Sequence, residues 1–156
     1  MGGAKMWKFS AAILAATIAT SSAFAAETAP ADVKFSDGEV ADSLTGKAGD
    51  PAAGREWFAG RKLGNCLACH QTTDLNALPF HGEVGPPMDG VADRYEVTEL
   101  RAILVNSKEV FGEETIMPGF YTLKAGVRVA DKFQGKTILQ AQQVEDIIAY
   151  LKTLKE

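Results

Sequence analysis

The sequence contains one C-x-x-C-H motif, and this pattern constrains the fold more than any other feature of the chain. Cys66, Cys69 and His70 form the motif. Two thiols at this spacing, in the last turn of a helix, can each bond to one of the two vinyl groups of a haem. The imidazole that follows can then ligate the iron as the proximal ligand. The motif therefore predicts a covalent c-type haem with His70 as an axial ligand.

The same residues allow other interpretations. Cys66 and Cys69 could form a structural disulfide or a thioredoxin-like pair, or they could join His70 and His81 around zinc. A thioredoxin-like pair should open a helix after a strand, whereas the residues before Cys66 have a helical pattern. A zinc site would require the adjacent Cys69 and His70 to reach one tetrahedral ion, which is sterically awkward. Haem attachment is therefore the favoured interpretation.

Length and composition allow one globular domain after an N-terminal targeting segment. The chain has 156 residues, of which 46% are hydrophobic. Residues 1–25 have the pattern of a secretory signal peptide, because Lys5 and Lys8 precede an apolar stretch that ends in Ala23-Phe24-Ala25. Serines and threonines dilute this stretch, so a transmembrane helix is the less favoured alternative. We expect a periplasmic protein with no membrane anchor after cleavage.

The predicted mature chain is acidic. Without Lys5 and Lys8, 14 basic residues remain against 20 acidic ones, which gives a formal net charge of minus six. A nucleic-acid or anionic-membrane partner is therefore not expected, and a basic protein partner is favoured. Because haem attachment uses both cysteines, no disulfide is expected either.

Between the signal peptide and the domain lies a segment without periodicity. Residues 26–49 contain Pro30, Gly38, Gly46 and scattered acidic residues, which predicts an extended arm. This arm should either become ordered only against a partner chain or remain a disordered leader. The globular domain is predicted to span residues 50–156.

The first and last predicted helices should pack on each other. Asp50 is a good N-cap, and Pro51 suits the first turn of a helix that runs to about Gly60. The last helix follows a poor capping residue, Gln140, and has one apolar face with helical spacing. This face consists of Val144, Ile147, Ile148, Leu151 and Leu154. Gly54 in the first helix would let the two helices cross closely.

A third helix and two long loops complete the predicted domain. The helix should begin at Thr98 as N-cap and end at about Asn106. Residues 71–97 and 107–136 are too long for structureless loops in a compact domain, unless a cofactor lies against them. A haem supplies that surface and fills a core that about a hundred residues can hardly build alone. We therefore predict an all-α fold of three to five helices around one haem c.

These features resemble the class I cytochromes c over residues 50–156. Besides the C-x-x-C-H motif, the resemblance rests on Gly54, Phe58, Gly85-Pro86, Gly90 and Met117-Pro118. It implies that the Pro86 carbonyl accepts a hydrogen bond from His70 Nδ1, which would fix the imidazole plane. It also implies that Arg94 contacts a haem propionate, with a solvated surface arginine as the alternative.

Three side chains are candidates for the distal iron ligand opposite His70. They are His81, Met88 and Met117, since the other two methionines leave with the signal peptide. His81 and Met88 lie on the predicted proximal loop and would have to cross the haem edge. Met117 follows His70 by 47 residues, far enough to reach the opposite face, and Pro118 keeps it extended. We predict that Met117 is the ligand, with a core methionine as the alternative.

A series of motifs in the C-terminal part of the chain carries a narrower resemblance. It consists of Arg94-Tyr95, residues 115–121, Val129-Ala130, residues 133–136 and residues 144–146. In this order the motifs resemble the SoxX family, the small monohaem subunits of the SoxAX cytochromes of thiosulfate oxidation.

This resemblance implies electron transfer within a heterodimer. A SoxA-like cytochrome would join thiosulfate oxidatively to a cysteine of the carrier SoxYZ, an L-cysteine S-thiosulfotransferase reaction, while this chain accepts the electrons and relays them to a soluble cytochrome c. The chain has no third cysteine to hold a persulfide, so it is not expected to turn over thiosulfate alone. A free-standing electron shuttle and a haem enzyme with an open iron position remain alternatives.

Overall fold

In a computed structural model of the chain, the described residues are Met1 and 26–156. The predicted signal peptide therefore lies outside the described residues, apart from Met1. The four α-helices are α1 (Pro51–Ala59), α2 (Val91–Arg94), α3 (Val97–Phe111) and α4 (Ala141–Leu151). Three short 3-10 helices span Cys66–Ala68, Thr73–Leu75 and Asp131–Phe133. The described residues form no β-strand, which confirms the all-α prediction. Over the same range, no helix is long and apolar enough to cross a bilayer.

Helix α1 begins as the sequence predicts. The carboxylate of Asp50 accepts hydrogen bonds from the N–H groups of Ala52 and Ala53, and Pro51 occupies the first helical turn. These contacts satisfy amide groups that would otherwise have no partner at the helix start. The helix ends at Ala59, so its predicted extent is confirmed to within one residue.

Helices α1 and α4 form the centre of the core. They approach so closely that a Cβ on Gly54 would lie 1.9 Å from the carbonyl oxygen of Asp146. Next to this crossing, the rings of Phe58 and Tyr150 pack with their centroids 5.6 Å apart. Only glycine permits such an approach, so the predicted crossing at Gly54 is confirmed.

The N-terminal caps of two helices differ from the prediction. Helix α3 starts before Thr98, because Glu96 and Glu99 form a capping box in which the Glu96 N–H donates to the Glu99 carboxylate at 2.7 Å. Gln140, which we expected to be a poor cap, forms the same arrangement with Gln143. In both cases the residue three positions into the helix completes the cap, so the N-cap residue type alone is a poor guide.

Helix α3 also extends further than predicted. Asn106 has non-helical backbone angles (φ −154°, ψ 94°), but the helix resumes after this kink and ends at Phe111. The predicted end of the helix at about Asn106 is therefore wrong, because it falls at a kink within the helix.

The prediction that the C-x-x-C-H motif lies in the last turn of a helix is wrong, because α1 already ends at Ala59. The motif opens a separate 3-10 helix at Cys66. Before it, Asn65 adopts a left-handed conformation (φ 50°, ψ 46°), which asparagine tolerates better than most residues. This residue turns the chain between α1 and the motif.

Residues 26–49 contain turns and bends but no helix or named strand, and they pack on the chain's own helices. Val40 and Leu44 are buried, and Val33 and Phe35 lie against the same core. The expectation that this arm orders only against a partner is therefore wrong. Its few apolar residues, although not periodic, are enough when neighbouring helices supply the opposing surface.

A buried ion pair fastens the arm to α3 and α4. Arg101 Nε lies 2.8 Å from Glu145 Oε1, and both side chains are only 6% exposed. Arg101 also donates to the carbonyl of Val40 at 2.9 Å, and Glu145 accepts from the N–H of Leu44 at 2.8 Å. These extra hydrogen bonds to the arm offset the cost of burying two charges.

Candidate haem-binding site

A cavity of about 410 Å³ brings together five of the six predicted site residues. They are Cys66, Cys69, His70, Pro86 and Met117. The walls are mainly apolar and include Phe58, Leu100, Leu104, Phe120, Ile147 and Leu151. Helices α3 and α4 thus supply most of the wall, while the loops before and after α3 supply the polar and sulfur groups.

The two thiols of the motif differ in environment. Cys66 is buried and Cys69 is exposed, and they are not bonded to each other. Burial raises the pKa of the Cys66 thiol to about 12, which keeps it neutral in this fold.

Residues 26–156 contain no group of three or more side chains that could hold a metal ion by themselves, and His81 instead bonds to the Leu75 carbonyl at 3.0 Å. The zinc interpretation therefore has no support in this geometry.

The His70 ring is held by the loop that faces it. Its Nδ1 lies 2.8 Å from the carbonyl oxygen of Pro86, which can only accept, so Nδ1 carries the proton and donates. In the neutral ring, Nε2 is then the nitrogen without a proton and can bind a metal. The N–H of Gly85 donates to the carbonyl of Cys69 at 2.8 Å, which ties the loop to the motif itself.

Arg94 does not reach the cavity. Its guanidinium donates to the carbonyls of Asp89 at 2.6 Å and Pro87 at 2.7 Å. These bonds brace the turn that follows Pro86. The contact with a haem propionate stays a prediction, and the role that the structure supports directly is to stiffen the proximal loop.

Met117 and Met88 both line the cavity, but they are anchored differently. The N–H of Met88 donates at 2.8 Å to the carbonyl of Gln71, the residue after His70. Met88 is thus tied to the proximal segment. The carbonyl of Met117 instead accepts from the Ser107 hydroxyl at 2.5 Å, on α3.

The sequence analysis missed several residues of the site. Ser107 gave no signal because a serine near a helix end is ordinarily a capping or surface residue. Val84, Phe111 and Ile116 line the cavity while 50–81% exposed, so they form its rim. They lie in or next to loops, where apolar residues show no periodicity that could be recognised.

The residues of the cavity fit a covalent haem. Two thiols at the attachment spacing and an imidazole are the groups that a c-type haem requires, and a thioether is one of the side chains that can supply its second ligand. A Cβ on Gly85 would lie 2.2 Å from Cε1 of His70, so the loop has the shape of a cradle for the ring. The apolar walls suit a porphyrin.

Comparison with known proteins agrees with this geometry. The cytochrome c family model matches residues 51–155. Among solved structures, the crystal structure of SoxXA from P. pantotrophus contains a chain that is 45% identical. The match covers 84% of this chain and 100% of that chain, with a TM-score of 0.77. No curated protein sequence matches this chain significantly.

The fold and site define a monohaem c-type cytochrome, and the chain belongs to the cytochrome c family. Within that family it is a SoxX cytochrome, an electron-transfer subunit with covalent haem c. Both resemblances found in the sequence are thereby confirmed.

Proposed function

We propose that this chain forms a heterodimer with a SoxA-like cytochrome and accepts the electrons that the partner's sulfur chemistry releases. The observation that carries the proposal is a haem site with no spare thiol. This site lies in a chain whose match covers the full length of one chain of SoxXA. Both cysteines belong to the C-x-x-C-H motif, so no other thiol can bind a sulfur substrate. Electron transfer is the chemistry that remains.

In this proposal four side chains of the cavity hold the haem. Cys66 and Cys69 would form the two thioether bonds, and His70 and Met117 would ligate the iron. The haem supplies one-electron exchange at its iron. If His70 and Met117 both held the iron, no position would remain for a substrate, as electron transfer requires and a haem enzyme does not allow.

The protein groups around the cavity would tune the potential. The bond from His70 to Pro86 would fix the plane of the imidazole, while a thioether ligand would favour the reduced iron more than a second imidazole. The apolar walls would disfavour the additional charge of the oxidised iron. A His/Met pair thus suits an electron acceptor.

The distal ligand can be tested by substitution. We expect Met117→Ala to remove the red charge-transfer band of the oxidised protein and to let the iron bind cyanide. Met88→Ala and His81→Ala are the matched controls, because they remove the other two candidate ligands. If Met117→Ala kept the band while one of the controls lost it, the assignment of Met117 would be wrong.

The proposed reaction belongs to the complex. The partner would oxidatively join the terminal sulfur of thiosulfate to a cysteine thiolate of SoxYZ, so that one S–S bond forms and two electrons leave. This chain would take them one at a time and pass each to a soluble cytochrome c. The activity is that of an L-cysteine S-thiosulfotransferase, in which this chain is the non-catalytic subunit.

We place the protein in the periplasm, with residues 1–25 as signal peptide, 26–49 as arm and 50–156 as cytochrome domain.

Co-expression with a SoxA-like cytochrome tests the heterodimer. We expect the two chains to co-purify and to remain together on gel filtration, with native mass spectrometry giving one copy of each and one haem on this chain. The alternative is a free-standing shuttle. A stable monomer that exchanges electrons with many cytochromes and does not retain the partner would support that alternative and contradict the proposal.

A further inference from the structure

The kink in α3 has an unusual environment. At Asn106 the backbone leaves the helical region, and the Asn106 side chain has a buried Oδ1 atom without a hydrogen-bond partner among the described residues. An unpaired buried oxygen is a local energetic cost.

The segment that follows Met117 binds α3 directly before the kink. The carbonyl of Leu104 accepts from the N–H of Phe120 at 3.0 Å, and the carbonyl of Val105 accepts from the N–H of Tyr121 at 3.1 Å. The two carbonyls directly before the kink thus bind two successive amides of the loop. The loop is fixed to α3 in one register.

Gly119 lets the loop approach the kink. A Cβ at this position would lie 2.5 Å from Cγ2 of Thr122, 2.8 Å from Oδ1 of Asn106 and 3.1 Å from the Val105 carbonyl oxygen. A larger residue would therefore push the loop away from α3. The approach depends on glycine two residues after Met117.

Ser107 is the first residue after the kink, and it contacts Met117 itself. Its side chain is completely buried, and its hydroxyl donates to the Met117 carbonyl at 2.5 Å. Pro118, the next residue, has no N–H to anchor the segment. The Met117 carbonyl is therefore the group through which α3 can hold the backbone of this methionine.

We infer that Ser107 is a positioning residue for Met117: its hydroxyl, brought into place by the kink, fixes the Met117 backbone and so the direction of its side chain. The inference rests on the proposed ligation by Met117. A thioether is a weak iron ligand, so its occupancy depends on how firmly the protein holds it. Ser107 therefore protects the iron from competing ligands.

Cyanide titration of the oxidised haem protein tests this role. We expect Ser107→Ala to bind cyanide about tenfold more tightly than the wild type, the factor that corresponds to losing about 1.4 kcal/mol from one buried hydrogen bond. The red charge-transfer band should also disappear at a lower temperature, before global unfolding. Ser107→Thr keeps the hydroxyl and should restore both properties.

Thr45→Ala is the matched control. Thr45 is also buried, but its hydroxyl donates to Gln142 Oε1 at 2.9 Å, and Gln142 does not line the cavity, whereas Met117 does. We expect wild-type cyanide affinity in this variant. An equal shift in Thr45→Ala and Ser107→Ala would indicate general destabilisation and would overturn the inference.

Two further variants separate the possible failures. If Met117→Ala removed the band while Ser107→Ala kept wild-type cyanide affinity, the ligand assignment would stand and the role of Ser107 would be wrong. If Met117→Ala kept the band, the ligand assignment itself would fail. Should Ser107→Ala not fold, Gly119→Ala displaces the same loop by steric contact, and wild-type cyanide affinity in that variant would also overturn the inference.

Discussion

The Nδ1 atom of His70 lies 2.8 Å from the carbonyl oxygen of Pro86. This contact joins the haem-attachment motif to a loop that lies 16 residues further along the chain. Gly85 makes it possible, because no side chain fits between the loop backbone and the imidazole. The ring orientation is therefore set by the loop backbone. Gly85-Pro86 not only forms a turn but also holds the imidazole of His70.

Gly85→Ala should disturb the proximal histidine. The new Cβ would lie 2.2 Å from Cε1 and 2.5 Å from Nδ1 of His70, so either the ring or the loop must move. Overpacking of this kind costs about 1–3 kcal/mol. We expect less haem-loaded protein from periplasmic expression and a shifted reduction potential, measured by absorbance and redox titration.

The control for this substitution is Gly60→Ala, whose Cβ would come no closer than 3.0 Å, to the Glu56 carbonyl oxygen. It lies outside the cavity lining. Equal haem loading and an unchanged potential in Gly85→Ala would show that the loop does not orient the imidazole.

Arg101→Met should destabilise the protein and release the arm. The substitution leaves the buried Glu145 carboxylate unpaired, which costs about 3–5 kcal/mol, and it removes the bond to the Val40 carbonyl. Denaturant unfolding should show the loss of stability. Limited proteolysis should show faster cleavage within residues 26–49.

Arg55→Met is the comparison for the ion pair. Arg55 binds Asp74 at 2.7 Å, but the two side chains are 49% and 41% exposed, so the loss of stability should be much smaller. If both variants lost the same stability, or if the arm of Arg101→Met were cleaved at the wild-type rate, the buried pair would not be what holds the arm.

The stability of the protein should decrease in acid partly because of Asp74. Hydrogen bonding from Arg55 lowers the pKa of this carboxyl, with a further hydrogen bond from Tyr150, against the opposing effect of burial. Its contribution is therefore present above the unfolded pKa of about 3.9 and is lost as pH falls through the lower folded value. The effect should be small because the side chain is 41% exposed.

Melting temperature measured from about pH 6 down to about pH 3 tests this expectation. Asp74→Asn should have a shallower acid dependence than the wild type, whereas Asp32→Asn, at an exposed position on the arm, should follow the wild type. An unchanged acid slope in Asp74→Asn would contradict the role of Asp74.

Features that depend on a few neighbouring residues could be predicted from the sequence. The haem-attachment motif, the start of α1 at Asp50 and Pro51, and the apolar face of α4 are of this kind. The crossing at Gly54 could be predicted because glycine destabilises a helix interior, so its presence on an apolar face indicates close approach of another element. The predicted ligands also converge on one cavity.

Features that depend on distant residues could not be predicted. The arm is held by Glu145, whose carboxylate binds the N–H of Leu44 across 101 positions of sequence. The contact between Ser107 and Met117 lies next to the kink at Asn106, and no residue type in the sequence predicts that kink. Arg94 was assigned from its resemblance alone, and its backbone contacts with the proximal loop become visible only in three dimensions.

Absorbance of the haem bound by Cys66 and Cys69 tests the electron-accepting role most directly. The heterodimer with a SoxA-like cytochrome, in the oxidised form and without a soluble cytochrome, is mixed with SoxYZ and thiosulfate, and the isolated chain is treated in parallel. We expect this haem to become reduced in the heterodimer and to stay oxidised in the isolated chain. Thiosulfate-dependent turnover by the isolated chain, or turnover by the heterodimer while this haem stays oxidised, would contradict that role.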